Sequence, residues 1–195
     1  NMLLENSYKN IIDSKYEGLT GCLTILESNL DLVEIEANNF ECEDTVNFIR
    51  SNGNLNSVKI ANSHLDTLDA DFSNLKFKQI IIDKSGNDCA DFSYGNYYIE
   101  YAKLSNCGDK AISVGEKSNL NANSLEISYS LSGIVSKDSS SVEVKKSYIK
   151  NTETCYMVYK KKQEFNAAIL TLNDESCFDY SLKFSRDAIS QIVFK

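Results

Sequence analysis

The 195-residue chain has no proline, no tryptophan, a single histidine (His64) and two arginines, Arg50 and Arg186. Each shortage removes a class of protein. A proline inside a central strand deletes a ladder donor, so its complete absence suits a chain built almost wholly of paired strands. One histidine excludes a HExxH zinc site and leaves any Ser-His-Asp triad resting on His64, which falls in a turn and reads as solvated. Two arginines within a formal charge of −8 are the opposite of a basic footprint, so no nucleic-acid partner is expected. No apolar run approaches the ~18 residues of a membrane span. Neither GxGxxG nor GxxxxGKS/T occurs, so no nucleotide site is indicated. No secretion signal is visible, and a chain that opens at Asn1 rather than Met is expected to be an excised piece of a longer protein.

What is present is a repeat. Alternating apolar and polar runs, the period-2 signal of strands, open at Asn29, Asn54, Asn74, Asn96, Asn119 and Ser141, with spacings of 25, 20, 22, 23 and 22. A turn rich in Asn, Ser and Gly follows each run, then a second short strand. Anchored on that turn, Val46, Leu68, Ala90, Ala111, Gly133 and Cys155 form one column at spacings of 22, 22, 21, 22 and 22. Phe48, Ala70, Phe92, Ser113, Val135 and Met157 form another two places on, and both columns read as inward. Between them lies Asn47, Asp69, Asp91, Ile112, Ile134 and Tyr156, which is read as outward. The leucine-rich frame LxxLxLxxN is missing, and a propeller blade needs roughly 40 residues. The fold class is therefore all-β, a right-handed parallel β-helix of 22-residue rungs, each burying its apolar face on its neighbours.

Residues 1–18 are expected to be a short helical cap or a degenerate rung, 19–164 regular rungs, and 165–195 final partial rungs, all in one domain. Six cysteines, Cys22, Cys42, Cys89, Cys107, Cys155 and Cys177, follow no CxxC or zinc-ligand spacing. They are expected to be buried free thiols, Cys155 stacking on Cys177, with a disulfide framework as the alternative in an exported protein.

Three groups of side chains are candidates for function. Asp44, Asp66, Asp88 and Asp109 recur at spacings of 22, 22 and 21. Stacked carboxylates favour a hard cation such as Ca²⁺; the alternative is that each aspartate caps its own turn. Asp69, Asp71 and Asp91 gather on one face, as paired carboxylates do in glycoside hydrolysis, although outward charges on a solvated sheet are ordinary. A mixed patch follows: Glu116 stacks on Asp138 and Lys160, with Lys110, Lys117, Lys137, Lys161 and Lys162 beside them. It suits an anionic sugar or a lysine base, or else a salt-bridge ladder that fixes rung register. Tyr97, Tyr98 and Tyr101 offer a sugar-stacking strip, some of which alternation must send to the core.

The segments LDADFS, GNDCADFSYG, CGDKAISVGEKS, SGIVSKDSS and YKKKQEF resemble a bacterial right-handed parallel β-helix domain of the pectate-lyase-like superfamily. Such domains occur in surface or envelope proteins and beside CotH-type modules. The resemblance spans roughly Leu19 to Ala168. It implies a cell-envelope or extracellular setting and a polysaccharide, or other domains of a parent protein, as partner. Relatives with known chemistry are lyases, hydrolases or epimerases, but this chain departs from them. Asp109 is followed by Lys110 where a second aspartate would stand, no arginine lies beside the acids, and the DPHE motif is absent.

The expectation is thus a non-catalytic β-helix module presenting its polar face, from Asp69 to Lys162, to a glycan or protein, with no cofactor. The alternative is an enzyme acting on an acidic glycan. In that case Asp69, Asp91 and Asp109 serve as acid, base or Ca²⁺ ligands, and Lys110 or Lys137 neutralises substrate carboxylates.

Overall fold

The computed structural model describes Met2–Glu5 and residues 19–195. These residues form thirteen strands and no helix, and every strand pairing among them is parallel. The chain coils as a parallel β-solenoid. In the early coils the two segments of each rung are separate strands: β2 (Gly21–Leu26) and β3 (Asn29–Phe40), β4 (Asp44–Ile49) and β5 (Asn52–Ser63), β6 (Asp66–Asp71) and β7 (Asn74–Ser85). After β8 (Ala90–Ser93) they merge into the long strands β9 (Asn96–Gly115), β10 (Asn119–Lys137), β11 (Ser141–Tyr159) and β12 (Ile169–Arg186), and β13 (Gln191–Phe194) stacks on β12. At the other end β1, Met2–Glu5, pairs with Ile35–Asn38 of β3. Those four residues are strand; the rest of the segment expected to be a helical cap or a degenerate rung, residues 6–18, lies outside the described residues.

The register holds at 22 residues where the sequence alignment slipped to 21. Leu68 stacks on Ala90, Ala90 on Ile112, Ile112 on Ile134 and Ile134 on Tyr156. The reason is burial. A shift of one residue exchanges the two faces of a strand, and the alignment through Ala111 and Gly133 would have turned Ile112, Ile134 and Tyr156 to the outside. All three are fully buried. Each aliphatic side chain held in the core is worth roughly 1.5–3 kcal/mol, so the apolar column sets the register.

Two further features hold the rungs in line. Asn52, Asn74, Asn96 and Asn119 form a ladder along one corner, each side-chain amide donating to the asparagine carbonyl of the preceding rung at 2.9, 2.7 and 3.0 Å. This ladder is why asparagine opens successive rungs, with Asn52 rather than Asn54 as its member in β5. The cysteines are not free. Cys22–Cys42, Cys89–Cys107 and Cys155–Cys177 are disulfides with Cα separations of 5.6, 5.4 and 6.5 Å. Residues 18 to 22 apart meet across a corner of one coil. That brings Cα atoms within disulfide reach, and the stacking of thiols in a column could not reveal it.

Candidate functional site

The candidate residues lie on the sheet formed by β4, β6, β8 and the C-terminal halves of β9 and β10. Its lower edge is the aspartate column. Asp44 stacks on Asp66, and Asp66 Oδ1 accepts from the Asp88 backbone N–H and from Asn87 Nδ2, both at 2.8 Å. Asp88 Oδ1 in turn accepts from the Lys110 backbone N–H at 3.0 Å and from Lys110 Nζ at 3.4 Å. Asp66 and Asp88 therefore cap the backbone of the next rung. Because the register is 22, Lys110 occupies the fourth place and Asp109 leaves the column, its own N–H donating to Asn87 O. Asp109 keeps contact by pairing with Lys110 Nζ. No three acid, histidine or cysteine side chains among the described residues converge in a metal-holding group.

Burial sets the protonation of this edge. It pushes Asp88 up to about 6 against the opposing Lys110 ammonium, and it raises Asp44 and Asp66 in the same direction. Burial would lower Lys110, but hydrogen bonding to Asp109 and the charge of Asp88 outweigh it and push the ammonium up to about 12.

The next outward column is Asn47, Asp69, Asp91 and Ser113, in register from rung to rung. Asn47 Nδ2 donates to Asp69 Oδ2 at 3.1 Å and to Asp44 Oδ2 at 3.2 Å. Asp69 and Asp71 lie two places apart on the same face, and burial raises both carboxyls above their ordinary range. Burial first, and then the Asp71 charge, push Asp69 up to about 9. Burial also raises Asp91, partly offset by Lys137.

Lys137 reaches Asp91 from two rungs away, Nζ to Oδ2 3.4 Å. Its stem lies across Gly115, where an added Cβ would stand 2.8 Å from Lys137 Cε. A side chain at position 115 would have to push the flexible Lys137 stem aside. Lys162 makes a comparable two-rung reach to Glu116 at 2.6 Å. With Ser93 also donating to it, Glu116 is held below the ordinary carboxylate range despite burial. Fully buried Asp138 accepts from the backbone N–H groups of Lys161 and Lys162, each at 2.7 Å, and so ties the 160–164 turn to β10. Lys160 instead donates its backbone N–H to Asp187.

One element of this face escaped the sequence. Phe72 and Tyr94 sit at the corner that follows Asp71 and Ser93, with φ of 52° and 51°. Their rings stack at 4.5 Å and 4° and remain 50% and 42% exposed. The Arg50 guanidinium lies 5.9 Å from the Phe72 centroid, and Phe165 lies 6.1 Å beyond Tyr94. The available signal was the 22-residue spacing of Arg50, Phe72, Tyr94, Glu116 and Asp138, all of which turn the same corner with positive φ.

The tyrosine strip divides as alternation requires. Tyr97 is core, its hydroxyl donating to the Ala70 and Ser93 carbonyls. Tyr98 and Tyr101 face outward onto two shallow concavities of about 400 and 700 Å³ on the β5–β7–β9 face. The larger includes Glu34, Lys59, Lys78 and Glu100 and none of the candidate acids. His64 is exposed.

Fold and face together define a parallel β-solenoid module with an acid-rich sheet. Compared with protein-family models, curated proteins and solved structures, the chain matches none of them.

Proposed function

We propose that the chain is a non-catalytic β-solenoid module that presents a polar face to a glycan or a partner protein, as part of a larger envelope or extracellular protein. The observation that carries this reading is the commitment of the lysines. Lys110 is paired with Asp88 and Asp109, Lys137 with Asp91, and Lys162 with Glu116. A lysine base needs to be neutral near working pH, whereas Lys110 is driven the other way. Three disulfides favour an oxidising compartment, and the solenoid is compatible with the pectate-lyase-like resemblance. Screening against neutral, acidic and amino polysaccharides for both binding and product tests the reading. Binding without turnover supports it; turnover lost in Asp69→Asn overturns it.

A second reading has one observation in its favour. Asp69, raised to about 9 chiefly by burial, stands beside Asp71, and a pair of neighbouring carboxyls with a raised member is the equipment of a polysaccharide-cleaving enzyme. Release of new reducing ends or unsaturated product from an acidic glycan is the result it requires.

A further inference from the structure

The β5–β7–β9 face carries polar side chains that the fold itself does not use. Two neighbouring columns line its smaller concavity. One is the asparagine ladder at Asn74, Asn96 and Asn119; the other is Asn54, Lys76, Tyr98 and Asn121, stacked in register. Each of the three ladder amides gives one N–H to the rung before it, and Asn74 and Asn96 accept one from the rung after. A side-chain amide has two N–H donors and two carbonyl lone pairs, so every ladder member keeps a donor and an acceptor for the exterior. In the second column Asn54, Lys76 and Asn121 are exposed. None of the three has a side-chain hydrogen bond or ion pair among the described residues. Tyr98 is fixed by its hydroxyl, which accepts from Asn123.

The ladder fastens rung to rung, and the second column adds no such bond, so register does not explain it. What the ladder offers a ligand is order. A free surface asparagine loses rotamer freedom on binding, whereas one held in a ladder has lost it already, and association costs less. The concavity, about 400 Å³, is within the ~300–1,000 Å³ of small-molecule sites. The class of ligand follows from what repeats. Asparagine recurs from rung to rung, but the concavity holds one ammonium, Lys76, and no carboxylate. A polymer charged on every unit would find its counter-charge on a single rung. A sugar hydroxyl donates and accepts at once and so matches the free N–H and carbonyl of each amide. Tyr98 adds an apolar ring with a polar tip.

The geometry points to a binding site for a linear glycan of uncharged sugars along Asn54, Lys76, Tyr98 and Asn121, its hydroxyls bonded to the amides of Asn74, Asn96 and Asn119. The concavity crosses β5, β7, β9 and β10. A sugar ring occupies a length close to the ~4.8 Å of one rung, so about four sugars lie one to a rung along the solenoid axis. This rests on the glycan-module reading and moves the contact surface from the ridge between Asp69 and Lys162 to the asparagine face.

The test is calorimetric titration of the full chain with β-1,4-linked glucose, mannose and xylose oligomers of two to six units, and with a galacturonate hexamer. A neutral oligomer is expected to bind, with affinity rising up to about four units and then levelling, and the galacturonate hexamer is expected not to bind. Tyr98→Ala and Asn54→Ala should each weaken binding about fivefold. Asn54→Ala, exposed and outside the ladder, should leave the melting temperature unchanged. Neutral-oligomer binding unaffected by both variants overturns this site and leaves the glycan module standing, with Lys162→Ala reporting whether the acid-rich face makes the contact instead. Preference for galacturonate, or an affinity that stops rising at two units, likewise overturns the site and spares the module. Binding of no oligomer overturns the site and the glycan reading together.

Discussion

Thirteen residues other than glycine turn two corners of successive rungs with φ between 46° and 68°. In one corner the side chains are Asn39, Asn62, Lys84, Asn106, Tyr129, Asn151 and Asp179; in the other they are Glu27, Arg50, Phe72, Tyr94, Glu116 and Asp138. Asparagine tolerates this conformation through local hydrogen bonding, whereas other L-residues lose roughly 1–2 kcal/mol. The first corner thus carries its own control experiment. Lys84 is exposed, has φ 68° and stands where four of the six other members of its column are asparagine. Lys84→Asn is expected to stabilise the fold by about 1 kcal/mol, read as a higher urea midpoint at unchanged slope. An unchanged or lower midpoint would show that the corner is relaxed for lysine. Sequence reasoning places asparagine in turns but cannot tell which turn residue takes positive φ, so neither corner was legible as a column.

At the scale of the strand, β4, β6 and β8 carry a run of acids that do not all ionise. Asp69 is pushed from the ordinary carboxyl range up to about 9, and Asp88 to about 6, in both cases chiefly by burial. A carboxyl raised in the folded state holds its proton where the unfolded chain has already released it. Stability therefore declines as pH rises from the ordinary carboxyl range through about 6 for Asp88 and on to about 9 for Asp69. Glu116, Asp83 and Asp187 are shifted the opposite way and act on the acid side of that range. The melting temperature is expected to peak near pH 4–5, where an ordinary carboxyl titrates, and to fall toward pH 9. Asp69→Asn, which mimics the protonated carboxyl, should flatten the decline between about pH 6 and 9. An unchanged slope in that variant would remove Asp69 as its source.

The same strands show what the sequence could and could not convey. The 22-residue rung, the parallel stacking and the outward place of Asp69 and Asp91 were all legible, because period-2 alternation reports strand faces directly. The step from Asp88 to Asp109 misled, since two identical side chains one residue out of register looked more alike than Asp88 and Lys110. Burial of Ile112 decided the matter, and burial is a property of the stack. Lys137 reaching across Gly115 to Asp91 spans two rungs, a separation at which no sequence pattern links the residues.

Across the whole molecule, a solenoid's stability is a sum of rungs and nearest-neighbour interfaces, so its ends open before its middle. At the C-terminal end β13 covers only Ile169–Leu172 of β12. The strand beyond presents Phe178, Tyr180 and Leu182, each more than 40% exposed. What ties it down is Cys155–Cys177, which joins β11 to β12 and closes a 22-residue separation. A bridge of that span contributes about 3 kcal/mol in the chain-entropy account. Amide exchange should accordingly be graded, slowest in β7, β9 and β10 and fastest along Asp174–Arg186. Replacing the pair by Cys155→Ala and Cys177→Ser should extend fast exchange through β12 to β13 while β7 and β9 keep their protection. Uniform loss of protection in that variant would mean that the coil opens as one cooperative unit, with the bridge stabilising every rung and not only its own.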